Sequence, residues 1–576
     1  MRITKVKVAN FRNIHGIVVD LDPECNYIIG ENNIGKSNFL ALLDIVFSGA
    51  SFTKEDYAHT KMPIVIEIEF APPSGVSEGQ TAPKMTCRQS LGDISPVINL
   101  QCLEQSQAKL NLVRYDTSFA QGRGSGADLD MEAVSQLMLK SFIKKYLSGN
   151  KAAGSSSAGQ LSGLVGYVNG RFSQIPAFRG YSVAAPKEHV DTLAGLLSVS
   201  SQLLDTRKTR NGRMQIPTAP IGILSQLLDL SENNPFKDRV FIDSKGKKAL
   251  PVTLLIDEPE AHLHPYLQRS LISYCKRILR GEENHFSELL RLCFNVDRLD
   301  GQLVVVTHST DPLIGNYKNL VRFYRYGNRT AVIGGSKLVP KFSPSNEKHM
   351  AMRFPEIKEA FYARCALLVE GESEYGCISS FAEKMGYVLD DFGICVINAR
   401  GEGSIRPLRQ LLGLFSVPSV AIYDGDTRPF HKPARGEFYT VESCFEIEVV
   451  ANLYRSGRKD VAKQIAYELD ANYSKRVLDV SLLNKHFRKA GAATYTAQTY
   501  ESPDDDKREL GAAYTPQAMG DINEDNEEEF CSIYSAFFMS MKGVFLGRVI
   551  GSALSANLIP DCYKAAIKKA LELAAK

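Results

Sequence analysis

The sequence predicts an α/β protein in two parts: a larger unit with an inserted helical module, then a smaller parallel α/β domain. Three observations carry this reading. A glycine-rich turn, Gly30-x4-Gly35-Lys36-Ser37, lies between an apolar strand and a helix. Two later apolar strands end in Leu254-Leu255-Ile256-Asp257-Glu258-Pro259 and Val304-Val305-Val306-Thr307-His308. From Cys365 onward strand and helix patterns alternate, and two of those strands run into carboxylates, at Val369-Glu370-Gly371 and Tyr423-Asp424-Gly425-Asp426. Alternation of this kind is the signature of a parallel sheet with crossover helices.

Size and composition set the frame. At 576 residues the chain exceeds a single hydrophobic core and divides into two or three domains. A hydrophobic content of 44% against 23% charged residues excludes a disordered chain. The net charge of +3 is close to balance, so any nucleic-acid surface must come from local clustering. The eleven cysteines are scattered without a C-x-x-C pair, which argues against a zinc ribbon and a disulfide framework. The opening residues Met1 to Val8 alternate as a strand and lack the apolar core of a signal peptide. No stretch has the apolar length to span a bilayer. The expected setting is cytoplasmic, with no membrane partner.

In chain order, residues 2 to 9 alternate as a half-buried edge or antiparallel strand. After Asn10-Phe11-Arg12-Asn13-Ile14 a second strand ends at Tyr27-Ile28-Ile29, and a helix is expected from about Lys36 to Phe47. Pro63 to Phe70 reads as a strand. Gly- and Ser-rich runs around a helical hairpin centred on Met131 to Leu147 mark an inserted, mostly helical module over residues 121–205, with a dimerisation role expected. The nucleotide-binding domain is then 1–120 with 206–355. The second domain covers 360–555, with a strand near 365–370, a helix from about 372 to 386, and strands near 394–398 and 419–424. A C-terminal helix fills 556–576. Residues 501–530, with Asp504-Asp505-Asp506 and Glu527-Glu528-Glu529, read as a solvated flexible loop.

The turn from Gly30 to Lys36 has the context a phosphate loop needs. Backbone N–H groups of such a turn converge on phosphate oxygens, and the helix that follows adds positive potential. Candidate nucleotide-binding residues are Gly30, Asn32, Asn33, Gly35, Lys36, Ser37 and Asn38. Lys36 reaches the β- and γ-phosphates, and the Ser37 hydroxyl ligates Mg²⁺. Asp257 completes the Mg²⁺ shell and Glu258 polarises the attacking water. His308, following the next buried strand, fits a switch residue that reads the γ-phosphate.

The acidic residues of the second half suit hard cations. Glu370 ends a strand, Gly371 permits a sharp turn, and Glu374 lies about one helical turn on. Asp424 and Asp426 follow another apolar strand, and residues two apart in extended backbone share a face. Two Mg²⁺ or Mn²⁺ ions held there could activate a water and stabilise the leaving oxygen of a phosphodiester.

The first motif set resembles the ABC-type ATPases of the SMC and RecF kind. Asn10 to Ile14 is similar to their opening strand, and Glu260-Ala261-His262-Leu263-His264-Pro265 to their D-loop. Thr209 to Gln215 occupies the place of their signature segment as a degenerate match. The resemblance implies composite ATP sites between two copies, hence a homodimer or a higher even oligomer. The second set, with Val396 to Gly401 between its clusters, resembles the TOPRIM fold. Together the two resemble the overcoming-lysogenisation-defect (OLD) nucleases, whose relatives include the nuclease subunit of Gabija and OLD-type effectors beside retrons. The resemblance implies an anti-phage, metal-dependent DNA endonuclease or nickase regulated by ATP. It further implies a partner such as a retron reverse transcriptase–RNA–DNA complex or a helicase. By the same resemblance Glu448, with Glu446 as alternate, helps hold metal, and Lys542 neutralises charge on the phosphate.

Two other functions fit parts of the pattern. A topoisomerase would need a nucleophilic tyrosine among 24, and a primase usually brings a cysteine-based zinc module, which is missing. A DNA-binding ATPase clamp in repair would use the second domain only as scaffold. Basic runs for phosphate contacts are Arg207-Lys208-Thr209-Arg210 and Lys245-Gly246-Lys247-Lys248.

Overall fold

A computed structural model describes residues 2–71, 83–101, 111–115, 157–174, 239–243, 245–261, 263–338, 343–430, 433–478 and 518–575, with isolated positions besides. The chain divides into two compact units, Met1–Leu338 and Val339–Lys576. The divide falls ahead of the expected 355. The hairpin at Met131–Leu147, the segment Thr209–Gln215, the run Arg207–Arg210 and the acidic stretch 501–517 lie outside the described residues.

The first unit holds two sheets. β1 (Arg2–Ala9), β2 (Ile17–Asp20), β4 (Ile64–Ala71), β5 (Lys84–Gln89) and β6 (Val97–Gln101) form an antiparallel sheet in the order β2-β1-β4-β5-β6. The alternation of β1 is explained by this placement: Ile3, Val6 and Val8 are buried, while the lysines face the flanking strands' charged residues, as Lys7 does Glu67 at 2.9 Å. The second sheet has β3 (Cys25–Gly30), β7 (Asn111–Tyr115), β8 (Phe241–Ile242), β9 (Lys248–Asp257), β10 (Arg298–Val306), β11 (Leu320–Tyr326) and β12 (Arg329–Gly334). Its order is β12-β11-β3-β10-β9-β7, with β8 antiparallel on β9 and the five strands from β11 to β7 parallel. Near-continuous apolar runs such as Leu303–Val306 suit strands buried on both faces.

Helix α1 (Lys36–Ser48) shares one core with both sheets: Phe39, Leu40, Leu42, Leu43 and Val46 are buried together with residues of β1, β4, β10 and β11. α2 (Ser157–Gln174) is the described part of the expected inserted module. α3 (Pro265–Arg280) opens with proline in its first turn, where no N–H is needed. α4 (Asn284–Phe294) precedes β10. In register, Val306 pairs with both Ile28 and Asp257, so β3, β9 and β10 end at one edge of the sheet.

The second unit has one four-stranded parallel sheet. α5 (Pro344–Ile357) precedes β13 (Cys365–Val369), then come α6 (Glu372–Lys384), β14 (Ile394–Asn398), α7 (Glu402–Leu414), β15 (Ser419–Tyr423) and β16 (Glu437–Tyr439). The helices α8 (Phe445–Arg455), α9 (Lys459–Leu469), α10 (Glu527–Ser540), α11 (Val544–Ala553) and α12 (Asp561–Ala574) follow. The order β14-β13-β15-β16 reverses direction between β13 and β15, which is where open α/β sheets place their ligand crevice.

Two expectations change here. Glu527-Glu528-Glu529, expected in a solvated loop, opens helix α10, because acidic residues favour a helix N-terminus and Phe530, Cys531 and Tyr534 behind them are buried. The C-terminal helix is no appendage. Tyr563, Ala566, Ile567 and Ala570 of α12 belong to the same core as β13, β15 and α6. Among the described residues the cysteines are free thiols, and no helix is long and apolar enough to cross a membrane.

Candidate functional sites in each unit

The phosphate loop is shaped by two glycines that nothing else could replace. Gly30 has φ 145°, and a Cβ there would lie 2.2 Å from the Phe323 carbonyl oxygen. Gly35 caps α1 at φ 113°, with Ile14 Cγ2 2.2 Å from where a Cβ would stand. Asn33 is left-handed at φ 58°, and Asn32, Asn33 and Ser37 are exposed. Lys36 is 4% exposed, and its Nζ donates to the carbonyl oxygens of Gly30 at 2.8 Å and Glu31 at 2.6 Å. Burial pulls its pKa down to about 8, against the opposing pull of Glu258, Asp257 and Glu260.

Asn38, at the start of α1, is held in a side-chain network. Its Oδ1 accepts from Arg12 at 2.7 Å and its Nδ2 donates to Asn13 at 2.8 Å, while Asn13 donates to the Asn33 carbonyl at 3.1 Å. Residues Asn10 to Ile14 are therefore a turn, not an opening strand. Asn10, at φ 65°, ties it to the segment 59–62 by donating to the carbonyls of His59 and Met62. The turn braces the phosphate loop from the side.

Asp257 is the last residue of β9. Its Oδ1 is buried without a hydrogen-bond partner, and its Oδ2 pairs with Arg114 at 3.3 Å. Burial raises its pKa, Arg114 opposing. Glu258 stands at φ 48° and about half exposed, with its carboxylate 3.7 Å from His308 Nε2. Glu260 Oε1 accepts from the His308 backbone N–H and Oε2 from Thr307 Oγ1 at 2.7 Å, which fixes the turn carrying His308. Lys36, Asp257, Glu258 and His308 thus meet at one sheet edge. The hard oxygen and orphaned atom of Asp257, with Ser37 across the loop, fit a Mg²⁺–nucleotide pair.

In the second unit Glu370 follows β13 directly, and its Oε2 accepts from Asp424 N at 3.1 Å, so it turns toward the neighbouring strand end. Asp424 is buried, and its Oδ1 accepts from Phe445 N at 3.1 Å. Asp426 reaches the same region by another route than expected. β15 stops at Tyr423 and Gly425–Phe430 is a 3₁₀ turn, so alternation along a strand does not apply. Asp426 is buried within that turn, and its charge raises the pKa of Glu370. Gly425 permits the turn, because a Cβ would meet the Glu442 carbonyl oxygen at 2.2 Å.

Glu374, 2% exposed in the first turn of α6, has an Oε2 without a hydrogen-bond partner. Burial, then Glu446, pushes its pKa up to about 8. Burial likewise raises Glu370 and, with Glu374 and Glu370 adding, Asp424. Glu446 is fully buried; its Oε1 accepts from Ser373 Oγ at 2.8 Å and its Oε2 lies 3.4 Å from Lys542 Nζ. Burial disfavours the Lys542 ammonium, but Glu446, Asp424 and Glu374 outweigh it and its pKa is raised.

Of the pair Glu446 and Glu448, the structure brings the alternate to the cluster. Two helical steps turn the side chain by about 200°. Glu448 faces the other way, its Oε2 accepting from Glu442 N at 2.7 Å. Lys542 is set by close helix contact: a Cβ on Gly547 would meet the Ser373 carbonyl oxygen at 2.0 Å and Gly376 Cα at 2.9 Å. The turn before α11 is pinned by Gly543 N donating to Ser373 Oγ at 3.3 Å. Among the described residues no three His, Cys, Asp or Glu side chains close into a finished metal cage. The donors still fit a divalent cation in kind: buried carboxylates, one orphaned oxygen, and raised pKa values that added positive charge would relieve.

Residues 1–155 and 231–311 match the family described as AAA ATPase domain, and residues 361–426 match the TOPRIM domain described as overcoming lysogenization defect protein-like. The chain joins an AAA-type ATPase domain to an OLD-like TOPRIM domain. The ATPase match holds the phosphate loop, Asp257, Glu258 and His308; the TOPRIM match holds Glu370, Glu374, Asp424 and Asp426, and ends before Glu446 and Lys542. The Old nuclease of Escherichia phage P2 is 21% identical over 494 residues, 74% of this chain and 77% of that protein. The OLD nuclease of Thermus scotoductus is 22% identical over 482 residues, covering 76% and 84%. The solved C-terminal region of the Xanthomonas campestris pv. campestris OLD protein superposes with a TM-score of 0.24 at 19% identity, over 38% of this chain and 96% of that one.

Sequence reasoning passed over Arg114, Glu260 and Ser373. Arg114 pairs with Asp44 at 3.0 Å and Asp257, joining α1 to the end of β9. Nothing in the short strand Asn111–Tyr115 marks it. Glu260 stands inside the segment similar to a D-loop, and only its contacts reveal that it holds the His308 turn.

Proposed function

We propose that the protein is a metal-dependent DNA endonuclease, nicking or cutting, whose activity is set by nucleotide in the ATPase domain. The observation that carries this is the half-buried Glu370 with the buried Glu374, Asp424 and Glu446 beside Lys542, at the reversal point of a parallel sheet. So many desolvated carboxylates are costly unless positive charge joins them. Glu370, Glu374, Asp424, Asp426 and Glu446 would hold Mg²⁺ or Mn²⁺. Such ions, when bound, lower the pKa of water and stabilise charge on phosphate oxygens. Lys542 supplies a fixed positive charge to the phosphate as negative charge builds on its oxygens. The Glu370 carboxylate is oriented by the backbone N–H of Asp424, the Asp424 carboxylate by that of Phe445, and Glu446 by Ser373.

In the ATPase domain Gly30 to Ser37 would bind the phosphates, with Asp257 and Ser37 on Mg²⁺. Glu258, paired with His308, would orient the attacking water. Composite ATP sites, which the ABC-type resemblance implies, would need two copies and hence a homodimer or higher even oligomer. The family resemblance supports a cytoplasmic anti-phage setting and a partner encoded nearby, such as a reverse transcriptase–RNA–DNA complex or a helicase.

Supercoiled plasmid incubated with Mg²⁺ or Mn²⁺ tests this, comparing wild type with Asp424→Ala and Asp424→Asn. Nicked or linear product is expected from wild type and none from either variant, with melting temperature reporting that each is folded. Equal cleavage by all three sinks the assignment.

A further inference from the structure

The turn joining β14 to α7 holds an arginine that the site above does not use. Arg400 has φ 55°, a region that side chains other than those of Asn and Asp rarely occupy. The backbone around it is tied on several sides. Ala399 N donates to the Val369 carbonyl and Gly401 N to the Glu370 carbonyl, each at 2.8 Å. Arg400 N donates to Asn398 Oδ1 at 2.9 Å. From α5 the guanidinium of Arg353 donates to the carbonyl of Asn398 at 2.6 Å and to that of Ala399.

Arg353 is 7% exposed, and burying a cation is costly. Its two bonds to adjacent carbonyls of one turn give it a local purpose, which is to hold that turn still. What the turn then presents is the side chain of Arg400, 62% exposed. Strand register places it beside the acidic group: Val369 pairs with Asn398, so Ala399 is level with Glu370 and Arg400 is one residue beyond. Its guanidinium lies 3.3 Å from Glu356, a half-exposed carboxylate that also sits 3.4 Å from Arg353. An exposed pair of this kind is weak and exchanges readily for a better anion. The first turn of α7 also carries Glu402, so the guanidinium and not the helix end is the anion-binding group here.

We propose that Arg400 binds a backbone phosphate of the nucleic-acid strand, adjacent to the scissile one, and that Arg353 is the positioning residue that fixes its turn. This rests on the nuclease reading given above. A guanidinium fork matches two phosphate oxygens in one plane. Contacts to phosphate set the register of a strand without reading its sequence. Arg400 leaves Glu356 for the phosphodiester, and the bound strand is then held one residue away from Glu370.

The test compares the full-length wild type with Arg400→Ala, Arg400→Lys and Arg353→Met. Cleavage kinetics are paired with anisotropy titrations of a labelled duplex, with Ca²⁺ as the cation and salt varied. Arg400→Ala should raise KM and Kd about three- to tenfold and leave kcat within about twofold. It should also reduce the slope of log Kd against log salt by about one. Arg400→Lys should recover the slope and part of the affinity. Arg353→Met should reproduce the Arg400→Ala loss and add nothing to it in the double variant. Arg400 is exposed, so its variants keep the fold and decide the question even where Arg353→Met fails to fold. Unchanged KM, Kd and salt slope in Arg400→Ala overturn the proposal, as does a loss confined to kcat. A wild type that never cuts, beside an Arg400→Ala variant with the reduced slope, removes the nuclease reading and leaves the phosphate contact standing.

Discussion

The phosphate loop of the ATPase domain and the acidic group of the TOPRIM domain, the two sites proposed to handle phosphates, are built from different material. The loop is mostly backbone. Gly30 and Gly35 let the chain fold tightly, and Lys36 is satisfied by two carbonyls of the loop itself. The acidic group is side chain, drawn from Glu370, Glu374, Asp424, Glu446 and Lys542 on separate elements. A short contiguous motif carries its own geometry. A scattered set depends on the packing that brings it together, and Lys542 is the positive charge seen opposing its carboxylates.

That contrast can be broken in three places. The deepest effect is expected at Glu446→Gln, which should lower plasmid cleavage by about a hundredfold or more. Glu448→Gln should leave cleavage within about threefold, since its amide oxygen can still accept from Glu442 N. The reverse ranking would show that Glu448 and not Glu446 serves the cation. Next, Lys36→Ala should weaken nucleotide binding by about a hundredfold, the scale of one strong charge-assisted hydrogen bond, while Mn²⁺ binding to the TOPRIM domain persists. Calorimetric titrations of nucleotide and of Mn²⁺ would read the two separately, and joint loss would mean that the sites are not independent. The smallest effect is structural. Gly547→Ala forces a methyl against the Ser373 carbonyl and should destabilise the second unit by about 1–3 kcal/mol. Its urea midpoint should fall with nucleotide affinity unchanged; an unaltered midpoint would mean that α6 and α11 can separate freely.

The same contrast explains what could be read without coordinates. The strand–turn–helix context of Gly30 to Ser37, the strand ends at Asp257 and His308, and the alternation from Cys365 follow from local periodicity, and the elements stand within a few residues of expectation. Asp426 was reached by the wrong geometry, because nothing local announces that β15 stops at Tyr423. Glu446 and Glu448 could be ranked only once helix α8 was known to start at Phe445, since the helical period sends them to opposite sides. Arg114, Ser373 and Arg353 act through partners distant in sequence, and no short pattern encodes such contacts. The helix at Asp561–Ala574 is amphipathic on its own, but only the fold shows which sheet receives its apolar side.

That last helix bears on how the protein is made. Synthesis runs from the amino terminus, and early domains fold while later ones are still on the ribosome. The ATPase half has its strands and phosphate loop in hand by Leu338. The TOPRIM core, by contrast, waits for Tyr563, Ile567 and Ala570, which are made long after Leu338. A nascent chain therefore has its phosphate loop in place well before the acidic group of the second unit has the core it rests on, and an interrupted one never completes that core.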